Sequence, residues 1–370
     1  MKKYKLYILL LSGLLLPACS NEEEPSPSPG GEDAFATISV SVDGLAGTKA
    51  AVDAGNENAI KSLTVVFIDT VHHEVAGQGY SEPGADGQLV TRLGLKTGKY
   101  KMLLIANKEK TESFDPANYY DGTASLENQA GDKGFVMSNI AEPVEITSGD
   151  NIINGIVKRM VGRVDLTLVV GWTDLDLVGI NGLQFKPTQV FLANVRPQSN
   201  LFDTSEWPWL KEKPGHPVEN TTGGHLCGIA DYQKGGEIED DNLPAAYLKE
   251  DLENKVMNNE DMIEDIAQFY AMPNSDTKEV GVAPVILYIK GDLYDNVKKK
   301  NVLSNRYYRI KLAKGVERNT TYKIEATIQG KGSPTPGDNK ENIGLSTTII
   351  IQTWDNVTLD KVTIDEEFEL

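Results

Sequence analysis

From Phe35 onward the chain alternates strictly. Ile38, Val40 and Val42 take one side, and Thr37, Ser39 and Ser41 take the other. A period of two is the signature of a half-buried β-strand. The stretch "IKSLTVVFID" puts Leu63, Val65 and Phe67 on one face and Val66 and Ile68 on the other, which suits a strand covered on both sides. "GQLVTRLGLKTGKYKMLLIANK" reads as a strand, a Lys-Thr-Gly turn and a second buried strand from Tyr100 to Ala106. Further on, "GRVDLTLVV", "GLQFKPTQVFLANV", "VAPVILYIKGDLY", "NRYYRIKLA", "NTTYKIEATIQG" and "LSTTIIIQTW" repeat the strand pattern.

Three stretches break it. Residues 107 to 135 are polar and read as loop with a short helix, and Ile152 to Val161 fits helix or strand equally well on pattern alone. The long segment from Arg196 to Ile266 is irregular. Its part "LPAAYLKEDLENKVMNNEDMIEDIAQF" is rich in helix formers and predicts one or two helices. No repeat of fixed period is evident. A chain this long exceeds one comfortable core, so the pattern predicts an all-β protein of two antiparallel sandwich domains, 35–158 and 159–370. The second carries the partly helical insertion at about 196–266.

The first 34 residues stand outside this fold. Residues 1–18 hold Lys2, Lys3 and Lys5 ahead of a leucine-rich run too short for a comfortable membrane span, as an export signal does. Leu16-Pro17-Ala18-Cys19 looks like a bacterial lipobox, which implies acylation of Cys19 and cleavage before it. Several acyl chains hold a protein to a bilayer far more firmly than one. Residues 19–34, with Glu22-Glu23-Glu24 and a Pro/Ser run, form an acidic tether that cannot build a core.

Charge and composition remove most function classes. Loss of the three leader lysines takes the net charge from −18 to about −21, which argues against nucleic acid as a partner. With Cys19 acylated, Cys227 has no partner within the chain, so hydrophobic cores rather than disulfides stabilise the fold. The sequence lacks G-x-S-x-G, P-loop, H-E-x-x-H and Rossmann patterns, and its four histidines leave little room for a metal centre. His72 and His73 read as a hairpin connection. His225 and Cys227 read as a satisfied histidine and a buried thiol, and Glu237, Glu239, Asp240 and Asp241 as a solvated face without EF-hand spacing. Trp172, Trp207, Trp209 and Trp354 fit either a sugar-stacking platform or ordinary sandwich packing. The expectation is a non-enzyme without cofactor or metal.

Taken in order, the lipobox at Cys19, "ATISVSV" ahead of a basic loop site, "IKSLTVVFID", "GKYKMLLIANK", "VKRMVGRVDLTLV", "VFLANV", "FYAMPN", "VERNTTYKIEATIQGKGS" and "TTIIIQTW" resemble the Bacteroidia-type fimbrillins. These are surface-fimbria subunits made from lipoprotein precursors. The resemblance spans nearly the whole chain and rests on order and coverage, since no single motif is specific. It implies two tandem transthyretin-like sandwiches, an outer membrane lipoprotein precursor and assembly with copies of itself and with anchor or tip subunits.

It also implies cleavage by a trypsin-like surface protease in the loop after the first strand. The matching bond here is Lys49–Ala50, where the best-known members carry arginine. Cleavage frees the strand holding Thr37, Ile38, Val40 and Val42, and its departure opens a groove of unpaired backbone groups beside apolar pockets. A strand from another subunit refills such a groove by β-addition. The candidate donor is residues 357–370, with Val357 and Leu359 on one parity and Val362, Ile364, Phe368 and Leu370 on the other; Glu366 interrupts the second. The same segment also reads as the last strand of its own domain. A tip subunit binding host or bacterial surface receptors, an anchor subunit and a surface glycan-binding lipoprotein stay open as other readings.

Overall fold

The computed structural model describes residues 31–43, 55–83, 90–110, 123–129, 134–196, 198–202, 246–252, 255–274, 284–312, 315–336, 344–354 and 358–365. These residues are built almost wholly of β-strands. The first half contributes β1 (Asp33–Val42), β2 (Leu63–Asp69), β3 (Val75–Ser81), β4 (Val90–Lys96) and β5 (Gly98–Ala106). It then adds the short β6 (Thr123–Ser125), β7 (Met137–Ile146) and β8 (Gly149–Arg159). The second half contributes β9 (Gly162–Val170), β10 (Leu183–Ala193), β11 (Gln198–Asn200), β12 (Lys249–Asp251) and β13 (Met262–Ala271). It ends with β14 (Val285–Asp295), β15 (Lys300–Leu312), β16 (Thr320–Ile328), β17 (Leu345–Thr353) and β18 (Thr358–Asp365). The α-helix is confined, among the described residues, to two single turns, α1 (Gly55–Asn58) and α2 (Leu175–Val178).

Seven strands form one sheet in the order β3-β2-β5-β7-β8-β1-β4. Its two edges, β3 and β4, approach each other and nearly close the sheet on itself. Two glycines permit this approach: a Cβ on Gly77 would lie 2.6 Å from Leu95 Cδ2, and one on Gly79 would lie 2.6 Å from Thr91 Cγ2. The Ser81 and Thr91 hydroxyls bond across the seam at 2.8 Å. In the second half a four-stranded sheet, β12-β10-β14-β15, accompanies a five-stranded one, β13-β9-β16-β17-β18.

The two halves repeat one pairing scheme that no repeat in the sequence announces. In the first, β1 runs parallel to β8 and antiparallel to β4, while β5 pairs antiparallel with both β2 and β7. In the second, β9 runs parallel to β16 and antiparallel to β13, while β14 pairs antiparallel with both β10 and β15. Backbone pairing tolerates any residue of suitable parity, so topology survives where letters do not. A continuous apolar core extends through both halves, from Ala34 and Ile38 to Ile349 and Trp354.

Two expectations change. The ambiguous stretch from Ile152 is strand β8, with alternating exposure along its length. The helices predicted in the 196–266 insertion are not formed in its described part. A 3-10 turn at Ala246–Leu248 leads into β12, and Met262–Ala271 is strand β13. Ile263, Ile266, Ala267 and Tyr270 have helical spacing, but the cause is a bulge. Ile263 faces Leu168 and Ala267 faces Leu166, so three residues oppose one, and Asp265 turns through φ +47°. The two extra residues let the neighbours Ile266 and Ala267 both be buried, and that break in the two-residue alternation mimics helical spacing. Residues 203–245, with Trp207, Trp209, His225 and Cys227, lie outside the described residues.

Candidate strand-exchange site

β1 lies between two neighbours, and both of its backbone edges are used. Ala34 to Val42 register against Gly149 to Val157 of β8, and Asp33 to Ser39 against Lys96 to Val90 of β4. The predicted alternation holds: Ile38, Val40 and Val42 are buried with Ala34 and Ala36, while Thr37, Ser39 and Ser41 face the half-open outer side. Each large apolar side chain buried here contributes about 1.5–3 kcal/mol.

The outer face is strapped. Arg92 of β4 reaches over the half-exposed Phe35 ring, 4.7 Å from its centroid, and meets Asp150 of β8 at 2.9 Å. The strap therefore crosses β1 and joins its two neighbours. Both partners are more than half exposed, so its contribution to stability is small. Ser39 Oγ donates to Asn154 Oδ1 at 2.7 Å, and Lys96 Nζ meets Asp33 at 2.6 Å where the strand begins.

At its other end β1 runs into a cluster of polar groups buried between the two halves. Asp43 N donates to Val157 O at 2.8 Å. The Arg159 side chain is almost entirely buried. Its Nη1 donates to Asp43 O at 3.3 Å and Asn319 Oδ1 at 2.8 Å, its Nε donates to Glu57 O at 3.0 Å, and its Nη2 donates to Asn58 Oδ1. Its guanidinium carbon lies 4.5 Å from the Trp354 ring centroid. Burial lowers the Arg159 pKa to about 10, against the pull of Glu57 and Asp43, so the group remains cationic at neutral pH.

The Glu57 carboxylate forms the other half of the cluster. It accepts from Arg163 Nη1 at 3.0 Å, Trp354 Nε1 at 3.1 Å, Gln268 Nε2 at 3.2 Å and the Tyr270 hydroxyl. Burial, reinforced by the bond to Glu57, holds the Tyr270 hydroxyl well above the usual tyrosine range.

The C-terminal segment is folded back in cis. β18 pairs antiparallel with the outer edge of β17, from Thr358 opposite Gln352 to Asp365 opposite Ser346, and Val362 is half-buried. Leu359 and Ile364 occupy backbone positions in that strand. Cys19, Lys49, Ala50, Val357, Phe368 and Leu370 lie outside the described residues. The structure thus places Thr37, Ile38, Val40 and Val42 together in one enclosed strand and puts the donor segment at the far edge of another sheet.

Reading the sequence did not single out Arg159, Glu57, Asn58, Asn319 or Asp43. Arg159 and Asn319 stand inside motifs quoted for their strand pattern, and nothing local marks them as neighbours. Trp354, which the sequence leaves open to a sugar-stacking role, is buried in this cluster. His72 does lie in the hairpin turn between β2 and β3, 3.2 Å from Asp69. Among the described residues no group of three His, Cys, Asp or Glu is placed to hold a metal ion.

This architecture defines a β-sheet protein whose first strand is enclosed on both edges and whose last lies on an open one. Residues 36–180 match the family model described as major fimbrial subunit protein (FimA). Over 313 residues the chain is 24% identical to the major fimbrium subunit FimA type-2 of Porphyromonas gingivalis, covering 79% of this chain and 73% of that one. A solved fimbrilin (FimA) from Porphyromonas gingivalis W83 superposes with a TM-score of 0.58 at 15% identity, covering 87% of this chain and 97% of that one. A candidate cell adhesion protein from Parabacteroides distasonis ATCC 8503 gives a TM-score of 0.62 at 17% identity, covering 88% of this chain and all of its own. The chain is thus similar to fimbrial subunit proteins over residues 36–180 and shares the fold of solved fimbrilins.

Proposed function

We propose that this chain is a structural pilin subunit of a cell-surface fimbrium, with adhesion as its output, and that it polymerises by strand exchange. The subunit consists of two tandem transthyretin-like sandwich domains, 35–158 and 159–370. It reaches the outer membrane as a lipoprotein held through Cys19, and a trypsin-like surface protease cuts it at Lys49–Ala50. Cleavage severs the link from β1 to the rest of the sheet, and residues 357–370 of another copy occupy the vacated slot.

The observation that carries this reading is the position of β1. It is the first strand of the sheet, it fills a slot between β8 and β4, and its C-terminal end leads straight into residues 44–54, where Lys49 lies. Such a strand can leave after one cut without unthreading any other element. Its vacancy leaves two rows of backbone donors and acceptors unpaired, which favours replacement over an open slot.

Strand directions agree with a head-to-tail contact. β1 runs from Asp33 toward the junction of the two halves, while β18 runs from that junction outward to Asp365, opposite Ser346. Residues 357–370, once released from β17, enter a second copy at its Asp33 end and run in the direction of β1, parallel to β8. Head-to-tail contacts of this kind are open-ended and build fibres.

A second reading, a tip subunit that accepts a strand and donates none, draws on the cis pairing of β18 with β17. Light trypsin digestion of the purified precursor separates the two. The shaft reading expects a new N-terminus at Ala50 and laddered multimers that disappear when residues 357–370 are deleted. Cleaved chains that cap added shaft subunits but never ladder alone identify a tip. Uncleaved, strictly monomeric protein ends the exchange reading.

A further inference from the structure

The enclosed slot leaves one question open under the exchange reading, on which this inference rests: what keeps β1 in place between the cut and the arrival of a donor? An empty slot is a hazard, because an unpaired sheet edge captures any available strand. The sheet ladder holds the whole length of β1, but it does not act at the cut itself.

The buried cluster does. The undescribed residues 44–54 are bracketed by Asp43 on one side and by α1, with Glu57 and Asn58, on the other. The two flanks meet on one guanidinium: Arg159 donates to Asp43 O, to Glu57 O and to Asn58 Oδ1. Asn319 reinforces the upstream flank, since its Nδ2 donates to Asp43 Oδ2 at 3.1 Å while its Oδ1 accepts from Arg159. Lys158 adds a looser charge contact to the same carboxylate at 3.9 Å. Cutting at Lys49–Ala50 therefore frees two ends whose roots both remain bound to Arg159.

We infer that Arg159 and Asn319 form a retention latch, which holds the C-terminal end of β1 after proteolysis and makes its release depend on breaking the Asp43 contacts. Departure of β1 removes an acceptor and a neighbouring negative charge from a buried cation. Leaving a buried charge short of partners is strongly unfavourable, so the latch resists spontaneous loss. Trp354 extends the arrangement. It follows β17 directly, just before the C-terminal segment; its ring packs on Arg159, and its indole N–H donates to Glu57. The root of the outgoing donor and the end of the leaving strand thus rest on one cluster.

The test cuts the full chain at Lys49 and follows release of the N-terminal fragment by mass and size exclusion, with excess synthetic peptide 357–370 as competitor. Wild type is compared with Asp43→Ala, Arg159→Met and, at the opposite end of β1, Asp33→Ala. The latch predicts release about tenfold faster for Asp43→Ala, which keeps the backbone acceptor of Arg159 but removes the carboxylate that Asn319 Nδ2 bonds and the negative charge beside the buried guanidinium, the scale of one hydrogen bond to a partly exposed charged group. It predicts faster release again for Arg159→Met and a change within about twofold for Asp33→Ala, whose ion pair with Lys96 is exposed. Urea midpoints of the uncut chains show whether a faster release follows from general destabilisation; should Arg159→Met fail to fold, Asp43→Ala carries the comparison. If Asp43→Ala releases its fragment at the wild-type rate, or no faster than Asp33→Ala, the latch is overturned while strand exchange stands. If the peptide displaces the fragment from no variant, strand exchange itself fails and the latch with it.

Discussion

Truncating Ile38 to alanine should turn β1 into a strand that opens on its own. Ile38 is fully buried at the centre of β1, opposite Thr91 on β4 and Ile153 on β8. Replacing a fully buried isoleucine by alanine costs about 2–5 kcal/mol, transfer and cavity together. At about 1.4 kcal/mol per factor of ten, this raises the population of the opened strand by about 30-fold to a few thousand-fold. If β1 is an exchangeable unit, the cost falls on its own opening as well as on global unfolding. Native-state hydrogen exchange reads this directly. Amides of β4 and β8 that pair with β1 should exchange faster by that factor, while those between β2 and β5 keep rates set by global stability. Leu103→Ala on β5, also fully buried, is the matched control and should accelerate only the global process. If Ile38→Ala and Leu103→Ala give the same uniform loss of protection in every strand, β1 belongs to a single cooperative unit and the reasoning is wrong.

The seam between β3 and β4 should reject a side chain at Gly79. Gly79→Val meets Thr91 Cγ2 and Leu93 Cδ2 below 3.0 Å and should lower stability in urea melts by about 1–3 kcal/mol, whereas Gly94→Ala, whose Cβ meets only Phe35 at 4.0 Å, should lie within about 1 kcal/mol of wild type. Burial pushes the Tyr322 hydroxyl up to about 12 and those of Tyr270 and Tyr308 higher still. These groups are neutral in both states below pH 10, so their stabilising effect is complete there. It falls as the pH rises through 10, where the unfolded chain begins to ionise, toward 12, and a melt series over that range should show the loss. In the donor segment, Glu366 shares a parity with Val362, Ile364, Phe368 and Leu370, whereas all the inward positions of β1 are buried alanine, valine or isoleucine. Glu366→Val in the 357–370 peptide should tighten its binding to the cleaved subunit at least tenfold, because a carboxylate facing that wall is desolvated without a partner; equal affinity in a fluorescence titration places Glu366 outside the slot.

The amino-acid sequence by itself determined the strands and the faces they present. Alternation from Ala36 to Val42 is a property of the extended backbone, which sends successive side chains to opposite sides whatever lies nearby. The same holds for the run from Leu63 to Ile68, apolar but for Thr64, which is buried on both faces. The order of motifs along the chain was equally legible, and with it the likeness to fimbrillins.

What lies between strands was not. The helical spacing at Ile263 to Tyr270 misled because a bulge is fixed by the partner strand, β9, and not by residues nearby in the chain. That residues 358–365 pair with β17, that β3 and β4 nearly close the sheet, and that both halves share one pairing scheme are decisions of tertiary structure, since backbone hydrogen bonds are blind to sequence separation. The Arg159 cluster makes the point most plainly. Asp43, Glu57, Arg159, Asn319 and Trp354 are scattered over the chain, and each is unremarkable among its neighbours in sequence. Only folding removes them from water together, and a buried guanidinium must then find its acceptors wherever the packing of the two halves has put them.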